Sequence, residues 1–211
     1  LLAGNKSLTK QELGEEFARS GLEAGNYPMH LFLIRAEVDG LVCSGVDKGK
    51  KPTYALLDER VPPVKELHRE EALARLATLY FQSHSPATLA DFIWWSGLTT
   101  TDARHAVGLI ECDLLTEQYD SEIFYLHTSC DLKARCRQVL HLLPSYDEYL
   151  ISYKDRTTVL LREHHPKAFN TFGIFYPVIL HNGRIIGNWK KAVKKKALAP
   201  EVSFFNDVSD I

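Results

Sequence analysis

Apolar and polar positions in the first sixty residues follow a pattern that predicts two helices and then a β-hairpin. Residues 8–21 place apolar side chains at helical intervals and end at a glycine. The spacing from Thr9 to Glu12 is that of a capping box, which marks a helix start. A second helix is predicted over residues 28–39, with Leu31, Ile34 and Val38 on one face that we expect to be buried.

The hairpin of this first repeat follows directly. Short apolar runs at 41–44 and 53–57 predict its two strands, and a turn rich in glycine and lysine joins them. A helix over residues 69–81 comes next, with a buried stripe that includes Leu79. The order helix, helix, hairpin then returns.

The second repeat begins about 79 residues after the first, where Thr88 takes the place of Thr9. Residues 88–97 have a hydroxyl start, an acid three residues later and a terminal glycine. A second helix is predicted over 99–111, capped by Thr100 or Thr101. Its hairpin is predicted from strands at 114–117 and 122–127.

The last third of the chain has a different pattern. A strand is predicted at 139–143, and Asn182-Gly183 between two apolar runs indicates a tight hairpin. We interpret residues 145–154 as extended, so that Asp147 and Glu148 point to opposite faces and do not act as an acid/base pair. This region therefore predicts a small antiparallel β-subdomain.

Helices closed by a β-hairpin are typical of the winged helix, a relative of the helix-turn-helix. The predicted fold class is α+β, with tandem winged-helix units followed by the antiparallel β-subdomain. The predicted domains are residues 1–64, 65–128 and 129–211. An unrelated α+β fold with similar turn signals is the alternative that the pattern leaves open.

Composition and charge narrow the functional classes. The 211 residues include 25 Lys and Arg against 27 Asp and Glu, a net charge of −2, which excludes a general polyelectrolyte binder. No apolar run reaches the roughly 20 residues of a membrane span, and no secretion signal opens the chain. We therefore expect a cytoplasmic protein without a membrane partner. Because the first residue is Leu1 rather than Met, we expect a C-terminal fragment of a longer protein.

Cysteines and histidines give no metal-binding pattern. The four cysteines, Cys43, Cys112, Cys130 and Cys136, show no CxxC pair. Reduced thiols are expected, with Cys43 and Cys112 buried in apolar runs. The sequence thus predicts no metal site and no cofactor.

Three stretches resemble a bacterial family of winged-helix DNA-binding-domain proteins related to the DNA glycosylases that unhook interstrand crosslinks. They are SHSPATLADFIWWSGLTTTDAR (83–104), LLPSYDEYLISYKDR (142–156) and VILHNGRIIGNWKK (178–191). Residues 53–62 are also similar to that family. The resemblance implies tandem winged helices that form, with a β-rich subdomain, a concave channel facing double-stranded DNA.

The same resemblance implies where catalysis would lie. In the characterised glycosylases it depends on a glutamine–apolar–glutamine (or aspartate) motif in an N-terminal winged helix, which would precede Leu1. The glutamines of this chain are Gln11, Gln82, Gln118 and Gln138, and no two of them are two residues apart. We therefore assign no catalytic residue to the chain.

Winged helices meet DNA through the start of the recognition helix and through the wing. Trp189 precedes two lysines, a combination that suits base stacking with phosphate contact, although a structural tryptophan at a strand end is the more common case. The candidate DNA-contacting residues are Lys48, Lys50, Lys51, Thr100, Thr101, Arg104, Arg184, Trp189, Lys190, Lys191, Lys194, Lys195 and Lys196.

Two other interpretations stay open. The turn at 118–121 is acidic rather than basic, so the repeats could form a protein-interaction or structural module without DNA binding. Alternatively, the chain is part of an active alkylbase glycosylase whose motif lies upstream. Trp94 and Trp95 are predicted to pack between units. An ion-pair network that fixes the segment 147–156 to a winged helix is predicted for Asp147, Lys154, Asp155 and Arg156.

Overall fold

The computed structural model describes residues 1–22, 28–131, 138–194 and 197–206, which fall into two compact units, Leu1–Glu66 and Leu67–Ile211. The helices are α1 Lys10–Arg19, α2 Met29–Val38, α3 Leu57–Arg60, α4 Arg69–His84, α5 Leu89–Ser96, α6 Thr100–Leu109, α7 Glu148–Ile151 and α8 His165–Ala168. The strands are β1 Leu8–Thr9, β2 Val42–Ser44, β3 Thr53–Leu56, β4 Ala87–Thr88, β5 Leu114–Tyr119, β6 Glu122–His127, β7 Leu140–Leu143, β8 Val178–His181, β9 Arg184–Lys194 and β10 Ala197–Phe204. The predicted α+β class is confirmed.

The first unit, Leu1–Glu66, places two helices against a sheet of strand order β1-β3-β2. Thr9 caps α1 as predicted, because its hydroxyl accepts the Glu12 N–H while the Glu12 carboxylate accepts the Thr9 N–H at 2.7 Å. The buried core of this unit is small and is formed by Leu2, Leu13, Leu33 and Val42.

The predicted buried face of α2 is wrong. Leu31, Ile34 and Val38 are 46%, 51% and 76% exposed, whereas Leu33 is buried. The helix is apolar on several sides, so periodicity alone could not tell which side faces the sheet. An apolar face of α2 is therefore open to solvent in the first unit.

The second unit begins with α4, which packs against α6 over the sheet β4-β6-β5. Its core contains the fully buried aromatic rings of Tyr80, Phe81 and Phe92. Burying a side chain such as Phe81 contributes about 1.5–3 kcal/mol. Leu79, predicted to belong to the buried stripe of this helix, is 53% exposed, because Ala77 and Phe81 point inward instead.

Local predictions for the second repeat need three corrections. The cap of α6 is Thr99, whose hydroxyl accepts the Asp102 N–H, so Thr100 and Thr101 are the first residues of the helix. The hairpin strand β5 extends to Tyr119, beyond the predicted end, because its backbone pairs with β6 up to Glu122. Finally, Cys112 is exposed rather than buried, and Cys136 lies outside the described residues.

The C-terminal part of the second unit is a four-stranded antiparallel sheet of order β7-β8-β9-β10. The predicted hairpin is confirmed, since Asn182 and Gly183 have φ angles of 47° and 82° between β8 and β9. Gly187 lies where β9 passes very close to β10. A Cβ atom there would lie 3.0 Å from the Cα of Phe204 and closer still to the carbonyl oxygen of Ser203.

The prediction that residues 145–154 are extended is wrong, because this segment contains the short helix α7. Asp147 caps it by accepting the Tyr149 N–H at 3.0 Å, and the Glu148 carboxylate accepts the Ser152 hydroxyl. A cap competes successfully with a strand here because the Asp side chain satisfies an exposed backbone N–H. Each of these two carboxylates therefore has a structural hydrogen bond.

The predicted ion-pair network of residues 147–156 is also wrong, because none of these charged residues forms an ion pair with another in the described parts of the chain. The segment is attached by a buried carboxylate instead. Asp91 accepts the backbone N–H of Lys154 at 2.8 Å, and its other oxygen accepts the N–H and hydroxyl of Thr88 at 2.9 and 2.7 Å. One carboxylate thus caps α5 and holds the C-terminal part.

Two aromatic side chains reinforce this attachment. The Trp94 indole N–H donates to the Ile151 carbonyl oxygen at 2.8 Å. The Tyr153 hydroxyl donates to the carbonyl oxygen of His84 at 3.0 Å. Burial, together with the Asp91 carboxylate, raises the pKa of Tyr153 to about 12. Tyr153 therefore keeps its donor proton across the physiological range.

Arg156 occupies the space between Trp94 and the C-terminal part. Its guanidinium carbon lies 5.5, 5.3 and 5.2 Å from the ring centroids of Trp94, Phe169 and Phe175, and its Nε–H donates to the Leu150 carbonyl oxygen. Burial lowers the pKa of Arg156 from its usual value. The cation is held by aromatic faces rather than by a carboxylate partner.

We predict that Asp91→Asn destabilises the second unit by about 1–3 kcal/mol, because an amide NH₂ would then face an N–H donor inside the protein. Asp102→Asn is the matched control: Asp102 holds the same position in α6 but is partly exposed and paired with Arg69, so its substitution should cost less than that of Asp91. Urea unfolding followed by tryptophan fluorescence measures both, since all 3 tryptophans belong to the second unit. Equal losses for the two variants would contradict the prediction.

Candidate nucleic-acid interface

The start of α6 presents a polar face to solvent. Thr100, Thr101 and Arg104 are all exposed, while Ala103 and Ala106 on the other side of the helix are fully buried. Residues three and four apart are neighbours on a helix surface, so Arg104 lies beside both threonines. The structure thus brings these three predicted site residues together.

Charges around this face are mostly paired. Asp102 accepts hydrogen bonds from Arg69 at 2.8 Å and from the Thr99 hydroxyl at 2.9 Å, which hold its pKa below the usual value. The His105 ring nitrogen lies 3.5 Å from the Glu70 carboxylate. Arg104 has no ion-pair partner among the residues that the structure describes. Its guanidinium is therefore open to an anionic ligand.

The hairpin next to this helix is acidic, as the sequence indicated. Its turn contains Asp120, in a left-handed conformation with φ 52°, and the exposed side chains of Glu117 and Glu122 flank it. A carboxylate at the tip of the hairpin repels a phosphate. The tip of this hairpin is therefore unfavourable for an anionic ligand, in contrast to the exposed Arg104 on α6.

In the first unit, the lysines of the β2–β3 turn are not equivalent. The Lys48 ammonium lies 2.7 and 2.9 Å from the two oxygens of Glu12 and forms an ion pair, whereas Lys50 and Lys51 are exposed. The Lys48 hydrogen bond, with those from Thr9, lowers the pKa of Glu12 from 4.5 to about 2. Two of the three predicted lysines are thus free for a ligand.

On β9, Trp189 is a structural residue at least in part. Its indole N–H donates to the Leu143 carbonyl oxygen at 2.7 Å, which ties β9 to the end of β7. Lys191 follows two residues later on the same strand face and is exposed. Leu142, Ala199 and Pro200 complete a small cavity of about 220 Å³ beside these two side chains.

The remaining cations of this run do not form one patch. Lys190 points to the opposite face from Lys191 and pairs with Glu201 across the strands at 3.0 Å. Arg184 lies at the other end of β9, roughly 23 Å from Lys191 at about 3.3 Å per residue. The Lys194 side chain, Lys195 and Lys196 lie outside the described residues.

Glu12 and Glu201 are the site residues that the sequence did not reveal. Each neutralises a predicted DNA-contacting lysine from a distant part of the chain. The Glu201 pair depends on the register of β9 and β10, and the Glu12 pair on how the β2–β3 turn folds back onto α1. Neither ion pair could be predicted from a short-range sequence pattern, because the paired residues are far apart in the sequence.

The described ranges also bear on two other partners, metal ions and membranes. There, no group of three or more His, Cys, Asp or Glu side chains is arranged to hold a metal ion. Within those same ranges, no helix has the length and apolar character needed to cross a membrane.

The fold is similar to that of a solved DNA glycosylase structure. Streptomyces sahachiroi DNA glycosylase AlkZ matches with a TM-score of 0.72 at 21% sequence identity, covering 97% of this chain and 58% of that chain. An identity this low shows the fold alone. The arrangement of helices and sheets is therefore one that a DNA glycosylase uses.

Sequence comparison identifies the family of the chain. The model of the family described as DNA glycosylase AlkZ-like matches residues 1–210. The chain belongs to the AlkZ-like DNA glycosylase family, which confirms the relation to the crosslink-unhooking glycosylases. The Interstrand DNA cross-link repair glycosylase of Streptomyces sahachiroi is 24% identical over 171 residues, 76% of this chain and 46% of that protein. The chain thus spans about half the length of this curated relative.

We predict that Lys48→Ala raises the pKa of Glu12 from about 2 toward 4.5, because the ammonium is the main cause of the shift. A carboxyl whose folded pKa is lowered stabilises the fold above its unfolded pKa, and that contribution is lost as the pH falls toward the folded value. NMR titration of the Glu12 side chain measures the change. Lys51→Ala is the control and should leave the Glu12 titration where it is; an unshifted Glu12 in Lys48→Ala would refute the pairing.

Proposed function

We propose that this chain is a DNA-binding region of a DNA-repair glycosylase and that it binds duplex DNA mainly through phosphate contacts. The observation that carries the proposal is the exposed, unpaired cation at the start of α6 in a member of the AlkZ-like family. Thr100 and Thr101 beside it add hydroxyl donors for phosphate oxygens.

The proposal includes winged-helix architecture for both repeats. Each has two helices between a short first strand and a hairpin, and the sheets have the equivalent orders β1-β3-β2 and β4-β6-β5. In a winged helix, the second of these helices enters the major groove and the hairpin lies beside the backbone. On this basis α6 is the DNA-facing helix of the second repeat.

The proposed phosphate contacts are four of the predicted DNA-contacting cations, each exposed and without an ion-pair partner in the described parts of the chain. They are Lys50, Lys51, Arg104 and Lys191. Lysines position a protein on DNA without reading its sequence, and Arg104 is the one residue of this set able to contact a base with two hydrogen bonds. Binding should accordingly be weak and tolerant of sequence.

The glycosylase reaction itself belongs, in this proposal, to the whole protein. A relative named as an interstrand DNA cross-link repair glycosylase supports base excision as the parent activity. Asp147 and Glu148, the carboxylates most suggestive of acid/base chemistry, are engaged in capping and in a hydrogen bond to Ser152. We assign catalysis to residues outside this chain.

A second candidate function rests on α2. Its exposed face carries Leu31, Ile34 and Val38, whereas the exposed face of α6 carries threonines and an arginine. Exposed apolar patches mark protein contacts rather than phosphate contacts. In this alternative, the first repeat docks a protein and only the second repeat meets DNA.

We predict that duplex binding weakens steeply as salt rises from about 50 to 200 mM, with a logarithmic slope of about 0.9 per phosphate neutralised. Arg104→Ala and Lys191→Ala should each reduce that slope by about 0.9. Lys190→Ala should reduce it less, since Glu201 already pairs with this lysine. Fluorescence anisotropy with a labelled duplex measures all three, and Asp147→Asn, a change at the cap of α7, is the control that should leave the slope nearly unchanged.

If no binding is measurable at the low-salt end, the DNA-binding function is wrong for this chain and the protein-docking alternative takes its place. Equal effects of Lys190→Ala and Lys191→Ala would retain DNA binding but contradict the role given to Glu201.

A further inference from the structure

A cavity of about 430 Å³ lies in the second unit, between the loop after α7, the β8–β9 hairpin and the end of β10. This volume is within the range of sites for small organic ligands. The polar residues that line it are Thr157, Thr158, His164, His181, Asn182, Arg184 and Asn206. It is separate from the exposed cations at α6 and from Lys191 at the far end of β9.

The charge of this cavity favours an anion. One guanidinium and two imidazoles line it, and no Asp or Glu occurs among its described lining residues. Arg184 is exposed at the β9 end of the cavity and has no ion-pair partner in the ranges that the structure describes. A planar guanidinium in this position matches the geometry of a phosphate, which it can bind with two parallel hydrogen bonds.

His164 gives an independent indication of a ligand. The residue is only 7% exposed and lines the cavity, yet neither ring nitrogen makes a hydrogen bond within the described residues. The nearest charge is the Glu163 carboxylate, 3.5 Å from Nε2 and too poorly aligned for a hydrogen bond. Buried polar groups are nearly always paired, so a small adjustment that lets this ring bond a ligand would be favourable.

The apolar walls of the cavity suit a planar ring. Phe205 packs against His164 with ring centroids 5.0 Å apart, and Leu161 and Ile186 line the same space. Aromatic and aliphatic side chains of this kind stack a nucleobase without reading its identity. The ligand that matches both parts of the cavity combines an anionic group with a flat, largely apolar ring.

We propose that this cavity binds a nucleoside phosphate, with the phosphate on Arg184 and His181 and the base against Phe205. The ligand could come from free nucleotide or from an unpaired nucleotide of bound DNA, since the chemistry is the same. The proposal goes beyond the duplex contacts of Arg104 and Lys191, and it assigns Arg184 to this cavity rather than to the lysine run.

The test measures binding of thymidine monophosphate, thymidine and inorganic phosphate to the full chain by isothermal titration calorimetry. We expect thymidine monophosphate to bind at least about tenfold more tightly than either part alone, because both ends of the cavity are used. Arg184→Gln should weaken it about tenfold or more through loss of the charge-assisted bonds. Arg162→Gln, an exposed arginine nearby that does not line the cavity, should stay within about twofold.

Phe205→Leu provides a second variant that keeps the apolar wall but removes the aromatic face, and it should weaken thymidine monophosphate while leaving inorganic phosphate unchanged. Competition then separates the two sources. Displacement by a duplex with one unpaired nucleotide, but not by a fully paired duplex, identifies DNA as the source; displacement by neither identifies free nucleotide.

The proposal is overturned if thymidine monophosphate binds no more tightly than phosphate alone, or if Arg184→Gln and Arg162→Gln are equivalent. Such a result, together with a retained salt dependence of duplex binding, would reject the cavity and leave the proposed function intact. Loss of duplex binding with retained nucleotide binding would reject the proposed function and leave the cavity proposal intact.

Discussion

The second unit depends on one buried carboxylate. Asp91 satisfies the first turn of α5 and, through its other oxygen, the backbone of Lys154 far along the chain. A buried charge is costly unless its oxygens are hydrogen-bonded, and here both oxygens are: the three donors are two backbone N–H groups and a hydroxyl. The same carboxylate therefore caps α5 and attaches the C-terminal part. This attachment holds the part of the unit that contains the cavity and β9.

The charge that this protein offers to a ligand depends on which lysines form ion pairs more than on its net charge. The chain has nearly equal numbers of cations and acids, and among the described residues Glu12 pairs with Lys48 and Glu201 pairs with Lys190. An exposed pair contributes little stability, yet it removes a charge from any phosphate contact. The ligand-facing charge is thus set by the acids that lie beside the lysines.

The sequence predicted the helix caps and turns, which depend on neighbouring residues, but not the features that depend on distant parts of the chain. The caps at Thr9 and Thr88 and the turn at Asn182-Gly183 were predictable because the residues that bond are two or three apart. The orientation of α2 was not predictable, because an evenly apolar helix has no preferred face until the sheet is in place. The division into residues 1–64, 65–128 and 129–211 and the candidate DNA contacts stay predictions.

The close passage of β10 over Gly187 has a consequence for how the chain can vary. Any side chain at this position would collide with the backbone of Ser203 and Phe204, and backbone cannot rotate away as a flexible side chain can. Three and four residues further on, Lys190 and Lys191 are exposed, and their side chains extend into solvent. Backbone packing therefore restricts substitution more tightly at Gly187 than at the exposed positions of the same strand, because the facing backbone of β10 cannot move aside.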